Sequence, residues 1–254
     1  MSGEIFTVGV NTKLELISET HGAIRVPLAQ NFDFTPGFDG RKIFEFDRSD
    51  AVAVVSNFNG VDISFSHFDS ASKLVDAMVN DLDPGATALV DDPSNYNDIT
   101  LMLNIKNPDT KLIFQSILVK GCRLNGASSR LPVREEGLIE RSGEATNAYR
   151  LKGVALEYKR AKRSGSTAFA QGSANSHTDV TAALNGGNYE ITLTETVQTV
   201  EAKDTDIDGT GLILVLKNGA QYDGASISAG KVLIPSADFT ANDVFETFTT
   251  YIDA

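Results

Sequence analysis

The sequence predicts a mainly β protein with one packed α-helix, continued by a small C-terminal β-sandwich. Three observations lead to this class. Apolar residues alternate with polar ones along most of the chain, the period of a half-buried strand. Only Ser70 to Leu82 repeats at helical spacing. Beyond a Ser/Gly/Ala-rich stretch at 164–176 (SGSTAFAQGSANS), the pattern becomes short threonine-rich strands between turns.

The elements follow in order. Ile43, Glu45 and Asp47 alternate with Phe44, Phe46 and Arg48. Val61, Ile63, Phe65 and His67 share one face of a second run, and Leu101, Leu103 and Ile105 one face of a third. Such alternation implies antiparallel sheet with one wet face. Leu112 to Lys120 (LIFQSILVK) is more continuously apolar and reads as covered on both faces. Leu74, Val75, Met78 and Leu82 fall on one side of a helix over 70–82, with Ser70 as N-cap and Pro84 and Gly85 as the stop. Covering a sheet is the ordinary role of such a helix. Val154, Leu156 and Tyr158 close the pattern, which sets units at 1–163 and 177–254 with a linker at 164–176. In the second unit Tyr189, Ile191, Leu193 and Val197 oppose Thr192, Thr194 and Thr196. Leu212 to Lys217 runs into the turn pair Asn218 and Gly219, and Lys231 to Ile234 and Val244 to Ile252 add two strands. The intervals suit a sandwich of immunoglobulin-like size.

Charge and composition exclude several functions. The 254 residues carry 22 Lys and Arg against 34 Asp and Glu, a net charge of −12, so gripping nucleic acid through clustered positive charge is not expected. Residues 1–163 hold 19 basic and 22 acidic groups, whereas the last 91 hold 3 and 12. The cluster Lys159, Arg160, Lys162 and Arg163 reads as a solvated strand end in preference to a nucleic-acid patch. The single cysteine, Cys122, excludes an intrachain disulfide, a four-thiolate zinc site and a CxxC pair, and reads as a buried small apolar residue. Met1 to Val10 shows no basic segment followed by an apolar one, so no secretory leader is expected. The aliphatic runs Ala51 to Val55 and Leu212 to Val215 fall far short of the roughly 20 residues of a membrane helix, and a soluble protein is expected.

No enzyme and no cofactor are expected. His21, His67 and His177 lack HExxH or HxH spacing, and His67, beside Phe65 and Phe68, reads as a packing or rim residue in preference to a ligand. Gly224-Ala-Ser-Ile-Ser228 lacks the closing glycine of a serine nucleophile elbow, and Gly209-Thr-Gly211 makes no phosphate loop. Asp204-Thr-Asp206-Ile-Asp208-Gly209 matches the first half of a calcium loop, with carboxylates at positions 1, 3 and 5 and glycine at 6. Val215 stands where the bidentate Glu belongs and no helix flanks the loop. An acidic turn is the preferred reading, with calcium at Asp204, Asp206 and Asp208 the open alternative.

The order of elements carries more. Ile43 to Ser56, Val61 to Phe68, the helix, the pair Ile99 to Lys106 and Lys111 to Lys120, and a strand after Gly121-Cys-Arg-Leu-Asn-Gly126 resemble the tail tube proteins of long-tailed bacteriophages. Arg123 to Gly126, Leu131-Pro-Val133 and Ala148 to Lys159 look like that family's closing bend and final strand. Tyr222, Ala229 to Pro235, Ala237-Asp238 and Phe245 to Ile252 are similar to the immunoglobulin-like accessory domains of phage tail components. The resemblance implies a tail-tube-type β-sandwich or barrel that polymerises as stacked hexameric rings. It also implies a lumen through which genomic DNA is ejected without specific binding. Sheath, terminator or baseplate proteins become the partners, with no membrane, in a virion tail assembled in the host cytoplasm.

The stretches 31–42 and 83–98 read as longer polar loops and are then candidate ring contacts through Phe32, Phe34 and Phe38 and through Asp91, Asp92 and Asp98. The phenylalanines could equally cap their own barrel. Glu45 and Asp47 are candidate lumen residues, and the acidic second unit belongs outside the tube. A secretion-system tube protein, a capsid decoration protein and a glycan-binding adhesin are the alternatives. The second unit argues against the first of these. The absence of Trp, with only Tyr189, Tyr222 and Tyr251 in the second unit, argues against the adhesin.

Overall fold

The computed structural model describes residues 4–7, 12–26, 29–44, 51–68, 72–83, 92, 94, 96–130, 137–166, 178–200 and 211–253. Among them the chain is mainly β with one α-helix, as the periodicity predicts. The first sheet contains β1 (Glu4–Thr7), β2 (Thr12–Ser18), β3 (Gly22–Arg25), β4 (Ala29–Phe44), β5 (Ala51–Phe68), β6 (Ile99–Lys106), β7 (Ile113–Arg130) and β8 (Leu138–Lys152). Its order is β1-β4-β5-β8-β7-β6-β2-β3, with every pair antiparallel. The second sheet contains β9 (Ala155–Arg163), β10 (Asp179–Asn185), β11 (Asn188–Thr192), β12 (Leu212–Lys217), β13 (Ala220–Gln221), β14 (Ser226–Ser228), β15 (Lys231–Pro235) and β16 (Val244–Tyr251), in the order β13-β12-β16-β9-β10-β11-β15-β14.

Residues 31–42, expected as a loop, are part of β4. They pair with β5 across an irregularity between Gly37 and Phe38. Pro36 and Gly37, poor strand residues, sit at that irregularity, where the ladder is already interrupted.

Alternation divides the side chains of the first sheet between two cores. Leu14, Leu16, Phe32, Phe34, Val61, Ile63, Phe65, Leu101, Leu103, Ile117 and Val119 pack with Val75, Met78 and Val79 of α1 (Ser72–Val79). The helix stops at Asp81, whose φ of 53° is left-handed, with the Leu82 N–H donating to the Ala77 carbonyl at 2.8 Å. Leu82, expected on the apolar side, lies beyond this stop and is 37% exposed. Arg141 of β8, fully buried, donates to Asp76 of the helix and to the Tyr96 hydroxyl at 3.1 Å, which fixes α1 on the sheet.

On the opposite face Ile17, Ala23, Met102, Leu118 and Leu151 meet Leu156, Tyr158, Ile213, Leu214, Leu216 and Phe248 of the second sheet. Strand β2 from Leu14, β6 as far as Ile105 and β7 over Gln115 to Val119 are therefore dry on both sides, whereas Leu112 and Phe114, expected in the covered run, are 41% and 47% exposed. Polar groups cross this seam in matched pairs. The Asn104 side chain donates to the Leu156 carbonyl and accepts from the Leu156 N–H, both at 3.0 Å, and Ser116 Oγ donates to Asn104 Oδ1 at 2.6 Å. A third core forms where the second sheet folds over itself along β10, whose first residues pair with β9 and whose last pair with β11.

Strand β9, grouped by its alternation with the first unit, thus lies between β16 and β10, both C-terminal to it. Period shows that a strand has an apolar face but not which sheet receives it. The solvated reading of the basic cluster within β9 is corrected at Lys159 and Arg160 for the same reason, while Lys162 and Arg163 stay half-buried. Arg160 is 1% and Lys159 7% exposed; Arg160 pairs with Asp179, and Lys159 donates to Thr194 Oγ1 at 2.7 Å.

Two outcomes follow from the shared core. Asn104→Ala leaves the Leu156 N–H and C=O buried without partners and is expected to lower stability by about 2–3 kcal/mol in urea unfolding. Deleting residues 177–254 strips β9 of both neighbours and uncovers Ile17, Met102 and Leu118, so the shortened chain should fail to yield a folded monomer by circular dichroism and gel filtration.

Candidate functional site

Beyond the seam, the first sheet keeps a bare polar face. On β5, Asp62 and Ser64 are exposed between buried Val61, Ile63 and Phe65; on β8, Glu140, Ser142 and Glu144 are exposed between buried Ile139, Arg141 and Ala145. Strand β4 adds Asn31, Asp33 and Thr35, and β7 adds Arg123 and Asn125. The register aligns them in rows: Thr35, Asp62, Glu144 and Arg123; Asp33, Ser64 and Ser142; and Asn31 and Glu140 on either side of the buried Ser66. The inward alternation changes phase between Val119 and Cys122 on β7 and between Ala145 and Ala148 on β8, residues three apart that all meet the helix-side core. Gly121, at φ 60°, sits in this step. The sheet bends there, separating the wet face from the seam.

The wet face is acidic. Asp33, Asp62, Glu140 and Glu144 share it with one described cation, Arg123. Asp62 stands directly opposite Glu144, a like-charge pair that costs a sheet stability. Arg123 is turned away from the row, donating from Nε and Nη2 to the Tyr96 carbonyl at 3.2 and 3.0 Å, with Asp98 3.9 Å from Nε. A charge pattern that works against the sheet is a property of the surface rather than of the fold.

The residues singled out by sequence distribute differently. Phe32 is 0% and Phe34 7% exposed, with rings 6.4 Å apart in the helix-side core. They cap their own sheet and present no contact surface, because β4 turns them inward. Glu45, Asp47, Asp91, Asp204, Asp206, Asp208 and the Phe38 side chain lie outside the described residues. Asp92 accepts from Ser94 N–H and Oγ at 3.1 and 2.7 Å, and its own N–H donates to Asn80 Oδ1 at 3.1 Å, tying this segment to the helix end. Asp98 is exposed and lines a cleft of about 390 Å³ with Glu19, Thr20, Asp81, Asn97 and Arg123. Partial burial works against the charge of Asp81, but hydrogen bonds from His21 and Thr20 outweigh it and hold the carboxyl below the usual range. Cys122 is fully buried, which pushes its thiol far up, with Asp98 adding to the shift. His67 is buried 6.0 Å from the Phe65 ring, a packing residue as its neighbours in sequence suggest. Among the described residues no group of three or more His, Cys, Asp or Glu could hold a metal, and no helix is long and apolar enough to cross a membrane.

Sequence reasoning missed Asp33, Asp62, Glu140 and Glu144. The polar positions of VDISFSHF and LIERSGEA carry the signal, but only the register brings them to one face.

No protein-family model and no curated sequence matches the chain. Solved structures that resemble it in part include a chain of the extended sheath–tube complex of the PVC extracellular contractile injection system, with 6% identity over 58% of this chain and 93% of that one and a TM-score of 0.38. A chain of the anti-feeding prophage cap, the AFP tube-terminating cap, shows 8% identity over 58% and 92% with a TM-score of 0.36. The SPP1 tail tube shows 12% identity over 58% and 80% with a TM-score of 0.36. At such scores the likeness is coarse and decides no residue's role.

Asp62→Asn removes one member of the opposed carboxylate pair. It should raise stability by about 0.2–1 kcal/mol at low ionic strength, a gain that fades with added salt in urea titrations.

Proposed function

We propose that this chain is a structural subunit of a phage-type tail tube. It assembles as stacked hexameric rings, with the wet face of the first sheet lining a lumen through which DNA passes. The observation that supports this most directly is the uncompensated acidic face on a sheet otherwise covered by its helix and its second sheet. The order of elements that resembles tail tube proteins points the same way. Among the described strands β1 and β3 are the edges of that sheet, and closing a barrel across subunits removes such edges. Carboxylates on the wall repel phosphate over the Debye length of about 8 Å at physiological salt, so a duplex slides without sticking. Asp92 and Asp98, with Asp91, are the proposed ring-contact carboxylates. The second sheet lies outside the wall, where tail partners such as sheath, terminator or baseplate proteins would meet it, and the assembled protein belongs to the virion tail.

Negative-stain imaging of the purified protein tests the reading directly: hollow polymers or six-membered rings support it, and a stable monomer at high concentration overturns it. In polymers of the Asp62→Lys/Glu144→Lys variant, a lumen that retained no duplex DNA in the parent should hold it in a salt-dependent way, measured by fluorescence anisotropy of a labelled duplex. Equal retention by parent and variant would remove these residues from the wall.

A further inference from the structure

The seam between the two sheets buries a carboxyl. Glu246 of β16 is 2% exposed and accepts a hydrogen bond from the hydroxyl of Tyr158 on β9 at 2.8 Å. Tyr158 is itself 3% exposed, and its ring packs 5.1 Å from Phe248 in the apolar seam. The charged groups around Glu246 come from every element that meets here. Strand β9 brings Arg160, opposite Glu246 in the ladder, and β10 brings Asp179, which holds Arg160 at 2.9 and 2.7 Å. The turn between β2 and β3 brings Glu19, whose carboxyl is raised by burial and by Asp81. The same turn carries His21, 3.3 Å from Asp81. Strand β12 places Leu216 opposite Glu246, while Lys217 is engaged by Asp243 at 3.2 Å and by the Phe245 ring. Glu246 therefore has a carboxylate neighbour in Glu19, and its nearby cation, Arg160, is already committed to Asp179 and to the carbonyls of Glu19 and Thr20.

We propose that this seam is a proton-controlled joint: Glu246 carries a proton while the second sheet is seated on the turn between β2 and β3, and losing that proton loosens the seat. A neutral Glu246 fits the apolar surroundings of Tyr158 and Phe248 and adds no charge beside Glu19. An ionised one is a buried anion near the carboxyl of Glu19, and relief comes from parting the sheets to admit water.

Burial is the main cause that raises the Glu246 carboxyl from 4.5 to about 7, and Glu19 adds to it, against the lowering effects of the Tyr158 hydrogen bond and Arg160. The proton is held more tightly folded than unfolded. Stability is therefore fully present below about pH 4.5 and falls as pH rises through about 7. The folded-to-unfolded ratio changes over that window by up to about 300-fold on account of this group.

The test uses the full chain. Urea unfolding between about pH 5 and about pH 8.5 should show stability falling across neutrality, and Glu246→Gln should remove that component while gaining stability at the alkaline end. Hydrogen exchange corrected for its intrinsic pH dependence should accelerate above neutrality in β9 and β16 and not in β4 and β5. A Gln variant with the parent's pH profile, or acceleration spread evenly over both sheets, overturns the proposal. Should the Gln variant not fold, carboxyl carbon NMR of the parent decides. A Glu246 resonance titrating near neutrality supports the joint, and one titrating below about pH 5 overturns it.

Discussion

Arg160 is where the two sheets are joined. Its guanidinium grips the Asp179 carboxylate through Nε and Nη2, and Nη1 donates to the carbonyls of Glu19 at 2.9 Å and Thr20 at 2.6 Å. One side chain thereby ties β9 and β10 to the turn between β2 and β3. A buried cation is tolerable only when its donors and charge are answered, and the turn is shaped to answer it. Gly22 has a φ of 72°, and a Cβ there would lie 3.2 Å from the guanidinium, so only glycine combines that conformation with that approach. Seating the second sheet in this way is what makes β2 and β6 dry on both faces. It is also what forces Asn104 to act as a backbone partner for Leu156.

The division of wet and dry follows. The helix covers one side of the first sheet and the second sheet covers part of the other, so the polar alternation of β4, β5, β7 and β8 has one place left to meet water. What stands there is mostly acidic, and the arginine among it is drawn off toward Tyr96 and Asp98. The net charge of −12 is a poor guide to such a surface, because most of it belongs to residues 164–254, which hold 12 acidic and 3 basic groups. The arrangement of Asp33, Asp62, Glu140 and Glu144 is the informative quantity. It supports an electrostatic account of passage that the total charge could not.

Much of the fold was legible in the sequence because it depends on local periods. The alternation of Val61 to His67, the helical spacing of Leu74 to Met78 and the Asn218-Gly219 turn, whose residues have φ of 50° and 76°, are properties of neighbouring residues. Phe32 and Phe34 misled because a stretch with Pro36 and Gly37 looks like a loop until β5 supplies a partner with a matching irregularity. Arg160 misled because a run of four cations within five residues is ordinarily solvated, and nothing local shows that Asp179 and two carbonyls wait for one of them.

By itself, then, the sequence determined the class: strands throughout, one helix, threonine-rich short strands at the C-terminal end, and no motif for catalysis. Those are set by side-chain spacing along a single segment. The tertiary structure alone decided that Ala155–Arg163 joins the second sheet, that Lys159 and Arg160 of the basic cluster are buried, and that four carboxylates from three strands share one wet face. Each of these depends on which strands pair and in what register, and that is settled by burial between segments as much as 96 residues apart, as where Ala155 pairs with Tyr251.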